Sequence, residues 1–306
     1  MISFRSTIGI IGILLSIPSL AQNVLIQSES AFGKLTIFAD HATSSETFYY
    51  NGKEIHVEEI GYTHNQIDSI RLNINYDCFL AFEDNTNEGI RDTMLLQIGK
   101  RYTKFYSAKL HLADSLLQFC KGKGLGNVLK NAIPIFVNDV YYIDIATKEL
   151  SFVCRLATED FEYIEKLPDI SWNISDEMKV ICGYNCYKAT GSFRGREYEA
   201  WYTEDIPAPV GPWKLSGLPG AILEARDTEG LCSFEAKSVQ LNKSIMERTD
   251  YQYFKISRSQ YNSMIQKYFD TPLRFQSMHL SKAPGTSITP PLNEKPLRKV
   301  AILEKY

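Results

Sequence analysis

The stretch MLLQIGKRYTKFY, Met94 to Tyr106, sets two β-rich apolar runs on either side of Gly99-Lys100. Strand formers flanking two residues that open with a glycine mark a tight hairpin. Met94–Ile98 and Tyr102–Tyr106 are therefore predicted to pair antiparallel. The same alternation of short apolar runs and turn residues extends in both directions. Upstream it gives Leu35–Ala39, Phe48–Tyr50 before the turn signal Asn51-Gly52, and Ile70–Phe82. Downstream it gives Ile135–Val137, Val140–Ile145 and Leu150–Leu156, the last two joined through Ala146-Thr147-Lys148. Trp172–Ile174 then leads into a long pair, Lys179–Thr190 and Glu197–Tyr202, joined through GSFRG, and Ala221–Ala225 turns at Asp227–Gly230 into Cys232–Val239. Strand after strand with short connections predicts a mainly β chain, a curved antiparallel, half-barrel-like meander, in place of alternating βαβ units.

Two segments change period. Leu110, Ala113, Leu116, Leu117 and Cys120 recur every three or four residues, the spacing of one helix face, with a stop at Gly122. Ser257 with Gln260 three residues on reads as a capping box opening a helix that carries Tyr261, Met264, Ile265 and Tyr268 on one side. One or two helices packed on the sheet complete the predicted architecture.

The first residues read as a leader. A single positive charge, Arg5, precedes the apolar run Ile8–Ile17, and Ser19-Leu20-Ala21 supplies the small residues of a cleavage site before Gln22. Residues 1–21 are thus expected to be a signal peptide, with a periplasmic or extracellular product. Residues 22–272 read as a single β-rich domain and 273–306 as a proline-containing tail. Apart from the leader the chain carries 32 basic and 36 acidic side chains. So mild a balance has no basic stripe for nucleic acid. No later run reaches the ~18 apolar residues of a transmembrane helix.

Six cysteines, Cys78, Cys120, Cys154, Cys182, Cys186 and Cys232, are irregularly spaced and form no zinc pattern. If Cys182 and Cys186 lie along one strand, a rise of ~3.3 Å per residue separates them by ~13 Å, beyond disulfide reach. The five histidines, His41, His56, His64, His111 and His279, are scattered. There is no G-x-S-x-G, H-E-x-x-H or phosphate-loop motif, and GKGLGN at Gly122–Asn127 lacks the dinucleotide spacing. Asp68, Glu83, Asp84 and Asp92 lean acidic without the periodic loop of a calcium site. No metal, cofactor or catalytic set is predicted, although a nucleophilic Cys186 or Cys232 would need only a histidine delivered by the fold.

One connection stands out. Between Tyr202 and Ala221 run eighteen residues, TEDIPAPVGPWKLSGLPG, with four prolines. Connections of this length inside a domain are uncommon and often functional. Pro207, Pro209 and Pro212 fix φ and stiffen the loop. Leu218-Pro219-Gly220-Ala221 has the chemistry of a type II turn, with glycine where φ must be positive. A rigid loop of this kind holds Trp213 and Leu218 in fixed places. They either plug the core at one end of the sheet, or rim an apolar groove in which Trp201, Tyr202, Trp213, Leu218 and the Gly217, Pro219 and Gly220 turn meet a ligand, with Arg194, Arg196 or Lys214 on its polar head.

The segments ICGYNCYKATGSFRGR and YEAWYTEDIPAPVGPWKLSGLPGAILEARD, together with DTMLLQIGKRYTKFYSAKLHLADSLL and YIEKLPDISWNIS upstream, are similar to the GLPGLI family of exported Gram-negative envelope proteins. The motif reads Gly217-Leu218-Pro219-Gly220-Ala221-Ile222 here, with alanine in place of the family's leucine at 221. The resemblance implies a signal peptide and export, and carries no activity or catalytic residues with it. The reading that follows is an exported, non-catalytic envelope binding or carrier protein. Its partner would be an apolar small ligand such as a lipid, a peptide, or a segment of an envelope protein. The alternatives are a hydrolase of envelope or nutrient polymers, whose acid and base groups would meet only in the fold, and a structural partner of an outer-membrane assembly.

Overall fold

A computed structural model of the chain describes five strands between residues 12 and 55, and then residues 63–108, 139–156, 159–250, 253–272, 274–275, 295–300 and 304. The predicted helix at Leu110–Cys120, the GKGLGN segment, the strand at Ile135–Val137 and most of the leader lie outside the described residues. The chain divides into two compact units, residues 1–62 with 109–136, and residues 63–108 with 137–306. In the first, β1 (Gly12–Ile13), β2 (Val24–Ser30), β3 (Gly33–Asp40), β4 (Ser45–Tyr50) and β5 (Lys53–Ile55) form one antiparallel sheet in sequence order. Tyr50 pairs with Lys53, and the predicted Asn51-Gly52 turn lies outside the described residues.

The second unit opens with β6 (Thr63–Ser69), β7 (Leu72–Phe82), β8 (Asn85–Ile98) and β9 (Tyr102–Ser107), then β10 (Val140–Asp144), β11 (Glu149–Leu156) and β12 (Glu159–Lys166). It continues with β13 (Trp172–Ile181), β14 (Tyr184–Phe193), β15 (Arg196–Thr203), β16 (Ala221–Asp227) and β17 (Cys232–Leu241). β18 (Ile245–Asp250) pairs with β6 in a separate ribbon, and β19 (Phe254–Lys255) runs parallel to β12. The large sheet has twelve strands in the order β13-β14-β15-β16-β17-β7-β8-β9-β10-β11-β12-β19, curved but not closed into a barrel. The mainly β, antiparallel architecture predicted from the sequence is the one found.

Alternation builds the core. In β7 the buried residues Ile74, Tyr76 and Cys78 fall at every second position, as a strand with one face inward requires. Their face meets Phe105, Phe234, Tyr198, Ile222 and Leu223, and the buried Tyr76 hydroxyl is satisfied by donating to the Ile222 carbonyl at 2.7 Å. The helix α1 (Arg258–Asp270) starts at the predicted capping box, with Ser257 Oγ accepting from the Gln260 N–H and the Gln260 side chain accepting from the Ser257 N–H. Its Tyr261, Met264, Ile265 and Tyr268 pack on the core, as their spacing predicts.

Three local readings change. The Met94–Tyr106 hairpin turns on Lys100-Arg101, one residue later than Gly99-Lys100, because Asp68 of β6 reaches in and its carboxylate accepts from the Arg101 and Tyr102 N–H groups at 2.7 and 2.9 Å. Gly99 is needed because a Cβ there would collide with that carboxylate. The run Lys179–Thr190 is not one strand. Cys182 (φ 52°) and Gly183 (φ 85°) are the two left-handed residues of a tight hairpin between β13 and β14, so the argument that separated Cys182 from Cys186 along a strand does not apply. The five described cysteines are free. Finally, Gly220 does not have positive φ, so Leu218–Ala221 is no type II turn. Gly217 takes the left-handed conformation (φ 96°), and Gly220 serves close approach, since a Cβ would run into the Thr203 carbonyl.

Candidate functional site

The proline-rich connection between β15 and β16 folds in on itself. Val210 bridges Ser216, the Ile222 N–H donates to the Val210 carbonyl at 2.9 Å, and the Trp172 indole N–H on β13 braces the Ser216 carbonyl at 2.9 Å. A turn closed by the Leu215 N–H on the Pro212 carbonyl forms its tip. The tip points inward. Trp213 is 3 % exposed, Lys214 2 % and Leu215 1 %. Trp213 has φ 56°, a left-handed conformation that is strained for a bulky residue and persists only where its surroundings over-determine it. Its ring supplies that constraint, edge-on to Phe193 with centroids 5.6 Å apart and tilted on Tyr198 at 6.3 Å.

The strain delivers Lys214. A lysine in a core must find anions or acceptors, and here its ammonium donates to Glu165 Oε1 at 2.9 Å, to the Tyr163 hydroxyl at 3.2 Å, and to Glu304 Oε1. Arg194, at the β14–β15 hairpin tip with φ 47°, divides its guanidinium between the same two carboxylates, Nη2 on Glu165 Oε2 at 3.0 Å and Nη1 on Glu304. Arg258, the first residue of α1, joins from the third side and also pairs with Glu165 and Glu304. Three cations thus surround two carboxylates.

An aromatic ladder lies beneath this ion cluster. Tyr141, Phe152 and Tyr163 are direct neighbours across β10, β11 and β12, and Tyr261 of α1 closes on Phe152 at 4.8 Å. The Tyr141 hydroxyl donates to Asp139 Oδ2 at 3.1 Å, and Tyr261 bonds the same carboxyl. Burial pushes the Asp139 carboxyl up to about 6, even though the two tyrosines and the charge of Lys214 pull the other way. Glu304 has the opposite outcome. Burial opposes its ionisation, but the Lys214 and Arg194 charges outweigh it and hold the group below the usual carboxylate range. Burial, then the Glu165 and Glu304 charges, raises the Tyr163 hydroxyl. The site therefore holds one carboxyl that exchanges its proton near pH 6 beside another that stays ionised, a division that separates acid from base roles.

Of the residues singled out from the sequence, the fold brings Arg194, Trp213 and Lys214 together. Leu218 is buried in the core at 1 % exposure, Gly220 is buried, and Gly217 and Pro219 face solvent. Tyr202 is buried against Tyr187, with centroids 6.1 Å apart. Arg196 serves another partner set, Asp227 at 3.4 Å and Glu229 at 3.0 Å. Trp201 takes the opposite face of β15 from Ala200, beneath the Lys179 ammonium at 4.3 Å. Asp139, Tyr163, Glu165, Arg258 and Glu304 carry no mark in the sequence, and Tyr261 reads there only as a residue of the helix face. No short-range signal marks them, because they meet through strand register and a tail contact.

The fold and site define a curved antiparallel β protein with a buried ion cluster at the end of a stiff loop. Residues 133–267, less than half of the chain, match the family described as N-glycanase peptide, N-terminal domain. Two solved structures of PNGF-II, in C2 and P21 space groups, are similar at 21 % and 22 % identity, each with a TM-score of 0.47. They cover 65 % of this chain, which spans about a third of their length (33 % and 34 %). No curated protein matches the sequence. The family match replaces the GLPGLI resemblance. The glycines of its best-marked motif answer local needs in this fold, a left-handed residue at 217 and a close approach at 220. The carrier reading falls with it, and the N-glycanase match supports the hydrolase alternative. Trp213 and Leu218 are core side chains, as the first of the two readings of the loop expects. Among the described residues no helix is long and apolar enough to cross a membrane.

Proposed function

We propose that this chain acts in the hydrolysis of glycans on glycoproteins, as an N-glycanase-type domain. The observation that carries the reading is a coincidence of position. Asp139, Tyr141, Tyr163, Glu165, Arg194, Lys214, Arg258 and Tyr261 all fall within the residues that match the N-glycanase family. Hydrolysis needs a group that takes a proton from water and returns one to the leaving group, and a carboxyl exchanging near pH 6 is suited to both. Asp139 is the proposed proton-transfer group. Lys214 and Arg194 are placed to stabilise negative charge that develops on a reacting oxygen, and Glu165 holds both in position. The leader-like Met1–Ala21 supports export, to a periplasm or the medium, where glycoproteins would be met.

The test is release of glycan from a heat-denatured N-glycoprotein by the full chain, followed by mass spectrometry of the freed sugar. Wild type should release it, and Asp139→Asn should lose about 10²–10⁴ of the rate, the usual size of a proton-transfer contribution. Absence of release by wild type between pH 5 and 8, or an Asp139→Asn variant as fast as wild type, would overturn the assignment.

A further inference from the structure

We propose that Lys214, Arg194 and Arg258 form a binding site for the carboxylate of an acidic small molecule, and that Glu304 fills this site in cis. The inference goes beyond the hydrolase reading and does not need it. Both oxygens of Glu304 are taken, Oε1 by the Lys214 ammonium and Oε2 by one guanidinium nitrogen each of Arg194 and Arg258. Three donors on one carboxylate is the arrangement by which proteins recognise anionic ligands. Without Glu304 the three cations face Glu165 as the other carboxyl of the cluster, with Lys214 held in the core by the Trp213 turn. With Lys214 buried and Arg194 largely so, such a cluster of cations needs an anion.

The two carboxylates differ in how they are attached. Glu165 belongs to β12, inside the sheet. Glu304 follows residues 295–300, which dock through the Phe82–Val300 bridge, the Glu83 N–H on the Lys299 carbonyl and the Leu297 N–H on the Phe269 carbonyl. The ion pairs there, Arg298 with Asp84 and Glu88 and Lys299 with Asp270, are exposed on one or both sides, and exposed pairs hold weakly. Glu165 is thus fixed within a strand, whereas the described contacts that lead to Glu304 are partly exposed. Glu304 also lies outside the residues that match the N-glycanase family, whereas its three donors lie within them. The three donors therefore lie within the matched residues 133–267, and the occupant lies after them.

The carboxylate could come from a sugar acid or from a simple dicarboxylate, and two probes separate them, glucuronate and glutarate. Binding is read in the full chain by calorimetry and by the fluorescence of Trp213, whose ring lies 5.6 Å from the Lys214 ammonium. Glu304→Ala should bind at least one probe about tenfold or more tighter than wild type. Tighter glucuronate binding would identify a sugar acid, and equal binding would identify the carboxylate alone. Adding Lys214→Met to Glu304→Ala should abolish the gain. If Glu304→Ala does not melt cooperatively, the comparison moves to Glu304→Gln, which keeps the side-chain shape. A folded variant that binds neither probe at about 10 mM, well above a millimolar Kd, or a gain that survives Lys214→Met, would overturn the proposal.

Discussion

Lys214 and Glu304 lie 90 residues apart in sequence, yet the ammonium of one donates to the carboxylate of the other inside the folded unit. Lys214 is 2 % exposed and Glu304 9 %, so solvent screens this pair little. Removing one partner leaves the other buried and short of charge. Lys214→Met should therefore cost about 3–5 kcal/mol of stability. The double variant with Glu304→Gln should cost less than the sum of the two single changes, with a coupling of about 1–3 kcal/mol, as measured by urea denaturation.

Trp213 combines deep burial with a left-handed backbone. Truncation to alanine should destabilise by about 3–5 kcal/mol through lost packing. Glycine, usually worse than alanine, should here equal or exceed it by up to about 1–2 kcal/mol, because alanine keeps the strain at φ 56° and glycine does not. Paired denaturation curves of Trp213→Ala and Trp213→Gly give the sign.

Two glycines should respond in opposite ways to asparagine. Gly183 has φ 85° with open space where a Cβ would stand, so Gly183→Asn, a residue that tolerates the left-handed region, should stay within about 1 kcal/mol of wild type. At Gly220 any side chain meets the Thr203 carbonyl, and both Gly220→Ala and Gly220→Asn should cost about 1–3 kcal/mol or more. Thermal melts of the variants check this.

The acidity of Asp139 fixes a sign in the pH dependence of stability. Its carboxyl titrates near 6 when folded and near 3.8 when unfolded, so between these values the native state holds more of the proton. That contribution favours folding below pH 4 and is lost as pH rises to 6, by up to about 2–3 kcal/mol. Glu304 acts in the opposite sense. Its lowered carboxyl gives stability above pH 4.5 that disappears as pH falls through its folded value. Asp139→Asn should flatten the decline between pH 4 and 6 and leave the acid limb intact, as read by denaturation at each pH.

The chain's pattern reveals its sheet far better than its site. Asp227–Gly230 and the Ser257–Gln260 box are local chemistry and can be read without a partner, whereas the turn after Gly99 is shifted by Asp68. The turn at Cys182-Gly183 hides because a cysteine inside VICGYNC looks like strand, and the left-handed backbone that makes the turn has no side-chain marker. Gly220 misleads for a different reason. A proline-glycine pair reads as turn chemistry, whereas this glycine answers to a carbonyl on a neighbouring strand. Lys214 and Arg194 stand out through the stiff loop and the hairpin tip that carry them. Their counter-charges Glu165 and Glu304 look like ordinary solvated acids until β12 and the tail are folded against the loop, and Asp139 gains its raised acidity only from that enclosure.

The pairing of β7 with β17 joins residues as distant as Asn75 and Ser238, whose side chains hydrogen-bond at 2.9 Å across a separation of 163 positions. At about 5–20 residues per second, translation leaves roughly 10–30 s between the appearance of β7 and that of β17. Through that interval the nascent chain carries an unsatisfied ribbon border that invites pairing with neighbouring polypeptides. The β7 edge can be covered only after β17 has been made, which leaves the growing chain a long time in which that edge is open to mispairing.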